Sequence, residues 1–197
     1  VILDANVLYP FMTRDILLHF AQVDLYRARW TEDIIAETQR ALNKNKPHLA
    51  EKHQKMLCRV RENFNNCFVS GYENLIEGLN LQDPKDRHVL AAAIRCGAQH
   101  IVTENRKHFP EEILDQFDIQ PISADEFLAN TYELYPGHGT EIIRNIQRRY
   151  RKPAFTPAEF MKSLMINGLP RLSMALQQHC GPTWDPAGEF SPDGQLH

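Results

Sequence analysis

The chain has 197 residues, of which 43% are hydrophobic and 24% charged. That is enough apolar material for one ordinary domain with a small appendage, and it excludes global disorder. A net charge of −3, from 22 Lys and Arg against 25 Asp and Glu, excludes an overall positive field, so any nucleic-acid contact must rest on a local basic patch.

Val1-Ile2-Leu3-Asp4 reads as a buried strand with an acid at its exit. Residues 11–22 carry the apolar spacing of a helix. After an extended piece ending at Trp30, a second helix has Thr31 as N-cap and Glu32 and Asp33 in its first turn. Pro47 opens a third helix running to about Asn65, and Cys67–Gly71 reads as a short strand. "DPKDRHVLAAAIRCGA" is the clearest helix, with Asp83 at the N-cap, Pro84 at N1 and Gly97 at the C-terminal cap. "HIVT" is a buried strand, "PEEILDQF" a short helix, "DIQPIS" a last short strand, and "SADEFLANTYELY" a helix opened by a Ser123–Glu126 capping box.

This alternation predicts an α/β domain with a central parallel sheet over residues 1–135. Residues 136–180 read as all-helical: the basic "GTEIIRNIQRRYRKP", then "TPAEFMKSLMING" opened by Thr156, Pro157 and Glu159, then "PRLSMALQQHC". The Pro/Gly-rich residues 181–197 predict a loose tail. Cys58, Cys67, Cys96 and Cys180 form no CxxC pair, and no leader or apolar run of about 20 residues is present, so the expectation is a reduced, cytoplasmic setting without membrane contact. The chain begins inside a strand without Met, so native residues are expected to precede Val1.

The carboxylates fall in telling places. Asp4 leaves a buried strand, where a lone acid is costly. Stepping back from Val89, Leu90, Ala93 and Ile94 by helical intervals lands on Asp86, so an acid continues an inward stripe. Glu37 interrupts the inward face that holds Ile34 and Ala41. Thr103, Glu104 and Asn105 follow directly on the "HIVT" strand, and ligands of parallel sheets sit beyond such strand ends. Converging acids repel by about 4 kcal/mol per pair at ~4 Å and an effective dielectric of 20. A hard divalent cation removes that repulsion and can present a water to phosphate. The pattern points to metal-assisted phosphodiester hydrolysis. The plainer roles are Asp4 as a turn cap, Glu37 as an acid paired to Arg or Lys, Asp83 as N-cap with or without a ligand role, and Asn105 as a left-handed turn residue.

"VILDANVLYP", "WTEDIIAET" and "DPKDRHVLAAAIRCGAQHIVTENRKHFP", in this order, resemble the PIN domain over roughly residues 1–130, nearest to the VapC-type toxins. The C-terminal helices resemble the extension of some longer members. The resemblance implies a three-layer, Rossmann-like α/β/α sandwich and an endoribonuclease dependent on Mg²⁺ or Mn²⁺ that cuts single-stranded or looped RNA. It implies catalytic roles for Asp4, Glu37, Asp86 and Asn105, metal ligation by Asp4, Asp86, Glu37 and Asp83, and support from Asn6 and Thr103. Asn105 stands at a fourth position that often carries Asp, and so does His108 in the stretch before Phe109. These departures lower the negative charge of the site and make a second metal less favourable. The implied partners are RNA, a cognate antitoxin and a second copy of the chain.

Arg144, Arg148, Arg149, Arg151 and Lys152 recur near helical spacing with Tyr150 among them, suited to an RNA backbone, an acidic antitoxin segment or plain solvation. His88 reads as structural, and the histidines lack zinc-ligand spacing. Two other readings compete: a catalytically weak PIN-like module that binds RNA or a protein, and a phosphatase with Asp4 as nucleophile. The second is disfavoured by Asn6, where such chemistry wants another acid.

Overall fold

Three short apolar strands, β1 (Ile2–Leu3), β2 (His100–Val102) and β3 (Gln120–Ile122), pair in that order, both pairs parallel. Ile2 faces Ile101, and Val102 faces Ile122. The computed structural model describes residues 1–151 and 154–180. Beyond β1 the ladder continues through single bridges. Leu3 N–H donates to Arg29 O at 2.9 Å, and Val69 N–H to Trp30 O at 2.8 Å. The strand expected at Cys67–Gly71 is therefore reduced to one bridge at Phe68. Its neighbour at Trp30 offers only a short edge, and Gly71, at φ 72°, turns the chain away.

Because all pairs are parallel, Asp4, Thr103 and Ser123 leave their strands at the same edge. Asp4 N–H still donates to Val102 O at 3.1 Å, and Thr103 N–H to Ile122 O at 2.9 Å, so the ladder holds these residues in register.

The helices of this part are α1 (Ala5–Leu8), α2 (Phe11–Gln22), α3 (Glu32–Asn45), α4 (Ala50–Asn63), α5 (Glu73–Ile76), α6 (Arg87–Cys96), α7 (Glu111–Leu114) and α8 (Ala124–Leu134). Thr31 caps α3 through Oγ1, which accepts from Ile34 N–H at 3.1 Å. The helix expected from Pro47 divides into a 3₁₀ turn, Pro47–Leu49, and α4. The helix expected from Pro84 likewise begins as a 3₁₀ turn, Pro84–Asp86, capped by Asp83, with α6 following. Gly97 ends α6 at φ 62°, a left-handed geometry that glycine adopts freely. Ala91, Ala92 and Ala93 are fully buried, which lets α6 lie close on β1 and β2. Only residues 97–99 join α6 to β2, so the helix runs back along the sheet and its N-terminus reaches the edge where β1 and β2 end.

The chain clusters into two compact units, the first ending at Phe127 and the second beginning at Leu128, within α8. The second contains α9 (Pro136–Arg149), α10 (Pro157–Ile166) and α11 (Pro170–Cys180) around buried Ile143, Ile146, Phe160, Leu164, Leu172 and Leu176. The capping box at Thr156 and Glu159 is present. Gly139 is required by packing, since a Cβ there would lie 2.5 Å from Cδ2 of buried Tyr132. The basic helix starts earlier than expected, at Pro136, and ends at Arg149. Tyr150 turns extended, at ψ 102°, with its ring edge-on to Phe155 and Phe160. Lys152 and the tail 181–197 lie outside the described residues. No helix among those described is long and apolar enough to cross a membrane.

Candidate active site

Asp4 sits at the N-cap of α1, yet its side chain makes no capping hydrogen bond. It is turned toward the end of β2 instead. Its Oδ2 accepts from Asn6 Nδ2 at 2.6 Å and from Thr103 Oγ1 at 2.7 Å. Asn6 is itself fixed, because Nδ2 also reaches Thr103 Oγ1 at 2.9 Å and Oδ1 accepts from Glu104 N–H at 3.1 Å. Asn105 N–H donates to Thr103 Oγ1 at 3.0 Å. One strand exit is thus tied to the other through side chains, and Asp4 is only 5% exposed. A turn-cap role does not explain a buried carboxylate with this wiring.

Burial raises the Asp4 pKa above the ordinary carboxylate value. The Thr103 hydroxyl and the nearby Ala5 amide work against that, and the charges of Asp86 and Glu37 push it up again. Asp86 and Glu37 thus lie near enough for their charges to reach Asp4.

Glu37 is half-buried on α3. Its Oε1 lies 3.7 Å from Arg40 Nη2 and 3.4 Å from His88 Nε2. His88 is largely buried on α6, and neither ring nitrogen makes a hydrogen bond; the Glu37 contact has the separation of an ion pair without hydrogen-bond alignment. Burial pulls the His88 pKa down. Glu37, then Asp33 and Asp4, outweigh it, and the net direction is upward. His88, expected from the sequence to be structural, faces Glu37. Its place one turn before buried Ala92, beside the Val89–Ala93 stripe, was the available signal.

Among the described residues a mixed donor group lies between the start of α6 and the Arg106–His108 turn. Asp83, Asp86 and His108 each offer one ligand atom, all within 4.8 Å of one another. His108 Nδ1 is 2.7 Å from Asp86 Oδ2. Asp83 also caps its own turn, accepting from Lys85 N–H at 3.0 Å, so both roles weighed for it are geometrically open. An open cleft of about 400 Å³ is lined by Gln82, Asp83, Pro84, Lys107 and His108. Asn105 is exposed, with φ −95°, so it is no left-handed turn residue. The side chain that meets Asp86 is the imidazole three positions later.

In the second unit, Arg148, Arg149 and Arg151 are exposed and Arg144 is half-buried. Arg144, Arg148 and Arg149 lie on α9. Arg151 lies past its end and cannot extend a helical stripe.

Comparison with known proteins agrees with this architecture. A family profile described as PIN domain matches residues 1–107, and one described as VapC50 C-terminal domain matches residues 124–178. A Mycobacterium tuberculosis protein named "Putative ribonuclease VapC50" is 36% identical over 118 residues, covering 60% of this chain and 69% of that protein. No solved structure matches. A parallel sheet with Asp4 and Thr103 at its carboxyl edge, together with a profile spanning more than half of the chain, defines the class, and the chain belongs to the PIN-domain family. Within that family it is of the VapC type with a C-terminal extension.

Proposed function

We propose that the protein is an endoribonuclease dependent on Mg²⁺ or Mn²⁺ that hydrolyses phosphodiester bonds in single-stranded or looped RNA. We further propose that it acts in the cytoplasm as the toxin of a toxin–antitoxin pair. The observation that carries the reading is the buried Asp4 carboxylate, wired to both strand exits and under the charge of Asp86 and Glu37. The relative named as a ribonuclease supports the reaction class.

The donor set fits a divalent cation. Asp4, Glu37, Asp86 and Asp83 are hard oxygen donors, and among the described residues the basic side chains paired with them are His88 and the largely exposed Arg40 at Glu37, and His108 at Asp86. Asp4 and Asp86 would hold the ion, with Glu37 and Asp83 beside them. A bound ion supplies a polarised water and neutralises charge on the scissile phosphate. Asn6 and Thr103 both donate to a single oxygen of Asp4, which fixes the plane of the carboxylate. Lys107 lines the adjoining cleft and adds a positive charge there that a phosphate would meet. Arg148 and Arg149 offer further phosphate contacts.

The test is purified, antitoxin-free protein incubated with structured RNA, with Mn²⁺ or with EDTA. Cleavage with Mn²⁺ alone, abolished by Asp4→Ala, supports the reading. Equal cleavage in both tubes refutes the metal. No cleavage in either, with RNA retained, refutes the enzyme in favour of a binding module.

A further inference from the structure

Two 3₁₀ turns line the cleft. Pro84–Asp86 forms a 3₁₀ turn with Asp83 fixed on the Lys85 amide. Arg106–His108 forms another, closed by His108 N–H to Asn105 O at 2.9 Å and anchored by buried Phe109. They bring a nitrogen donor to an oxygen site. We propose that His108 is a ligand of the cation held at Asp86, and that it tilts the site toward first-row ions such as Mn²⁺ and Co²⁺ relative to Mg²⁺. The proposal rests on the metal-dependent reading above.

Spacing supports it. Two ligands each ~2.1 Å from one ion stand about 3.0 Å apart when adjacent and about 4.2 Å apart when opposite. His108 Nδ1 and Asp86 Oδ2 are 2.7 Å apart, and Asp83 joins them within 4.8 Å. An ion there would replace the His108–Asp86 hydrogen bond and draw the three side chains around it. Two carboxylates and a neutral imidazole then balance a divalent charge. The imidazole is 29% exposed on the cleft side, so an ion and its retained waters have a route in.

The identity of the donor sets the preference. Mg²⁺ is satisfied by carboxylates and water and gives up water reluctantly. Imidazole suits later first-row ions, whose affinity for nitrogen rises along the series from Mn²⁺ onward. An acid at position 108 would add charge and help every cation. A histidine helps selectively. His108 is thus read as a determinant of metal choice, not as a defect in the site.

The experiment uses the full chain loaded with Mn²⁺ and pulsed electron paramagnetic resonance, which detects nitrogen bonded to the ion. Titration calorimetry with Mg²⁺ and Mn²⁺ runs beside it on wild type, His108→Asp, His88→Gln and Asp86→Asn, with folding checked by circular dichroism. Wild type should show nitrogen coupling that His88→Gln keeps and His108→Asp loses. The ratio of Mg²⁺ to Mn²⁺ dissociation constants should fall by about tenfold or more in His108→Asp. Bound Mn²⁺ without nitrogen coupling, with binding lost in Asp86→Asn, would overturn the role of His108 while leaving the metal reading intact. Coupling that disappears in His88→Gln but survives in His108→Asp would also overturn it. Failure of wild type to bind Mn²⁺ at all would overturn both.

Discussion

Asp4→Asn should weaken the dependence of this protein's stability on divalent metal. The substitution is nearly isosteric, and an Asn carbonyl in place of Oδ2 can still accept from Asn6 Nδ2 and Thr103 Oγ1, now at 2.6 and 2.7 Å. What is lost is charge. The folded-state pKa of Asp4 is raised, so the fold favours its protonated form. Its stabilising contribution is present below the ordinary value of 3.8 and is lost as pH rises through the folded value. At neutral pH the ionised Asp4 opposes folding unless a cation sits beside it. Metal-free Asp4→Asn should therefore melt at or above metal-free wild type.

Addition of Mn²⁺ at a hundredfold excess over Kd stabilises wild type by ~2.7 kcal/mol through linkage. For a chain of this size that is a rise in Tm of about 5–10 °C. In Asp4→Asn the rise should be less than half of this. The assay is differential scanning calorimetry at neutral pH, with EDTA or with stepped Mn²⁺. A wild-type Tm that does not move, or an equal rise in Asp4→Asn, would refute the reasoning that Asp4 is a buried acid waiting for a cation.

Two further outcomes follow from the same geometry. The raised pKa of His88 means that its charged form adds stability below the ordinary value of 6.5, and that this is lost as pH rises through the folded value. Metal-free wild type, melted at successive pH values from below 6.5 upward, should fall more steeply than His88→Gln; parallel curves would place no charge on the imidazole. Arg148→Ala combined with Arg149→Ala should weaken RNA binding and flatten the salt dependence, by about 1.4 in log–log slope if each side chain neutralises one phosphate of a single strand. Fluorescence anisotropy over a salt series checks this, and an unchanged slope would assign those arginines elsewhere.

The family architecture rests on features that sequence patterns state strongly. Parallel strands buried on both faces are continuous apolar runs, so "VIL" and "HIV" announce themselves. α6 announces itself through Pro84, an alanine-rich inward stripe and Gly97. These elements locate Asp4, Thr103 and Asp86 at one sheet edge without coordinates, because strand direction and a short αβ connection leave little freedom. The extension was legible as helices for the same reason, its Thr156–Glu159 box being a local device.

Which residues stand at the ends of the strands and at the start of α6 could be read from local periodicity and capping. Which side chains meet depends on how the elements pack. His88 turned from a structural residue into a neighbour of Glu37, because α3 and α6 present facing sides that no local pattern couples. His108 turned from a departure at an acid position into the partner of Asp86, 22 residues earlier, because two 3₁₀ turns close on the same cleft. The bridge at Phe68 depended on how much edge Trp30 offered, and the end of α9 at Arg149 on where the Tyr150 ring packs. Contacts between segments distant in sequence are set by packing against a third element, and that information is absent from the spacing of residues within any one segment.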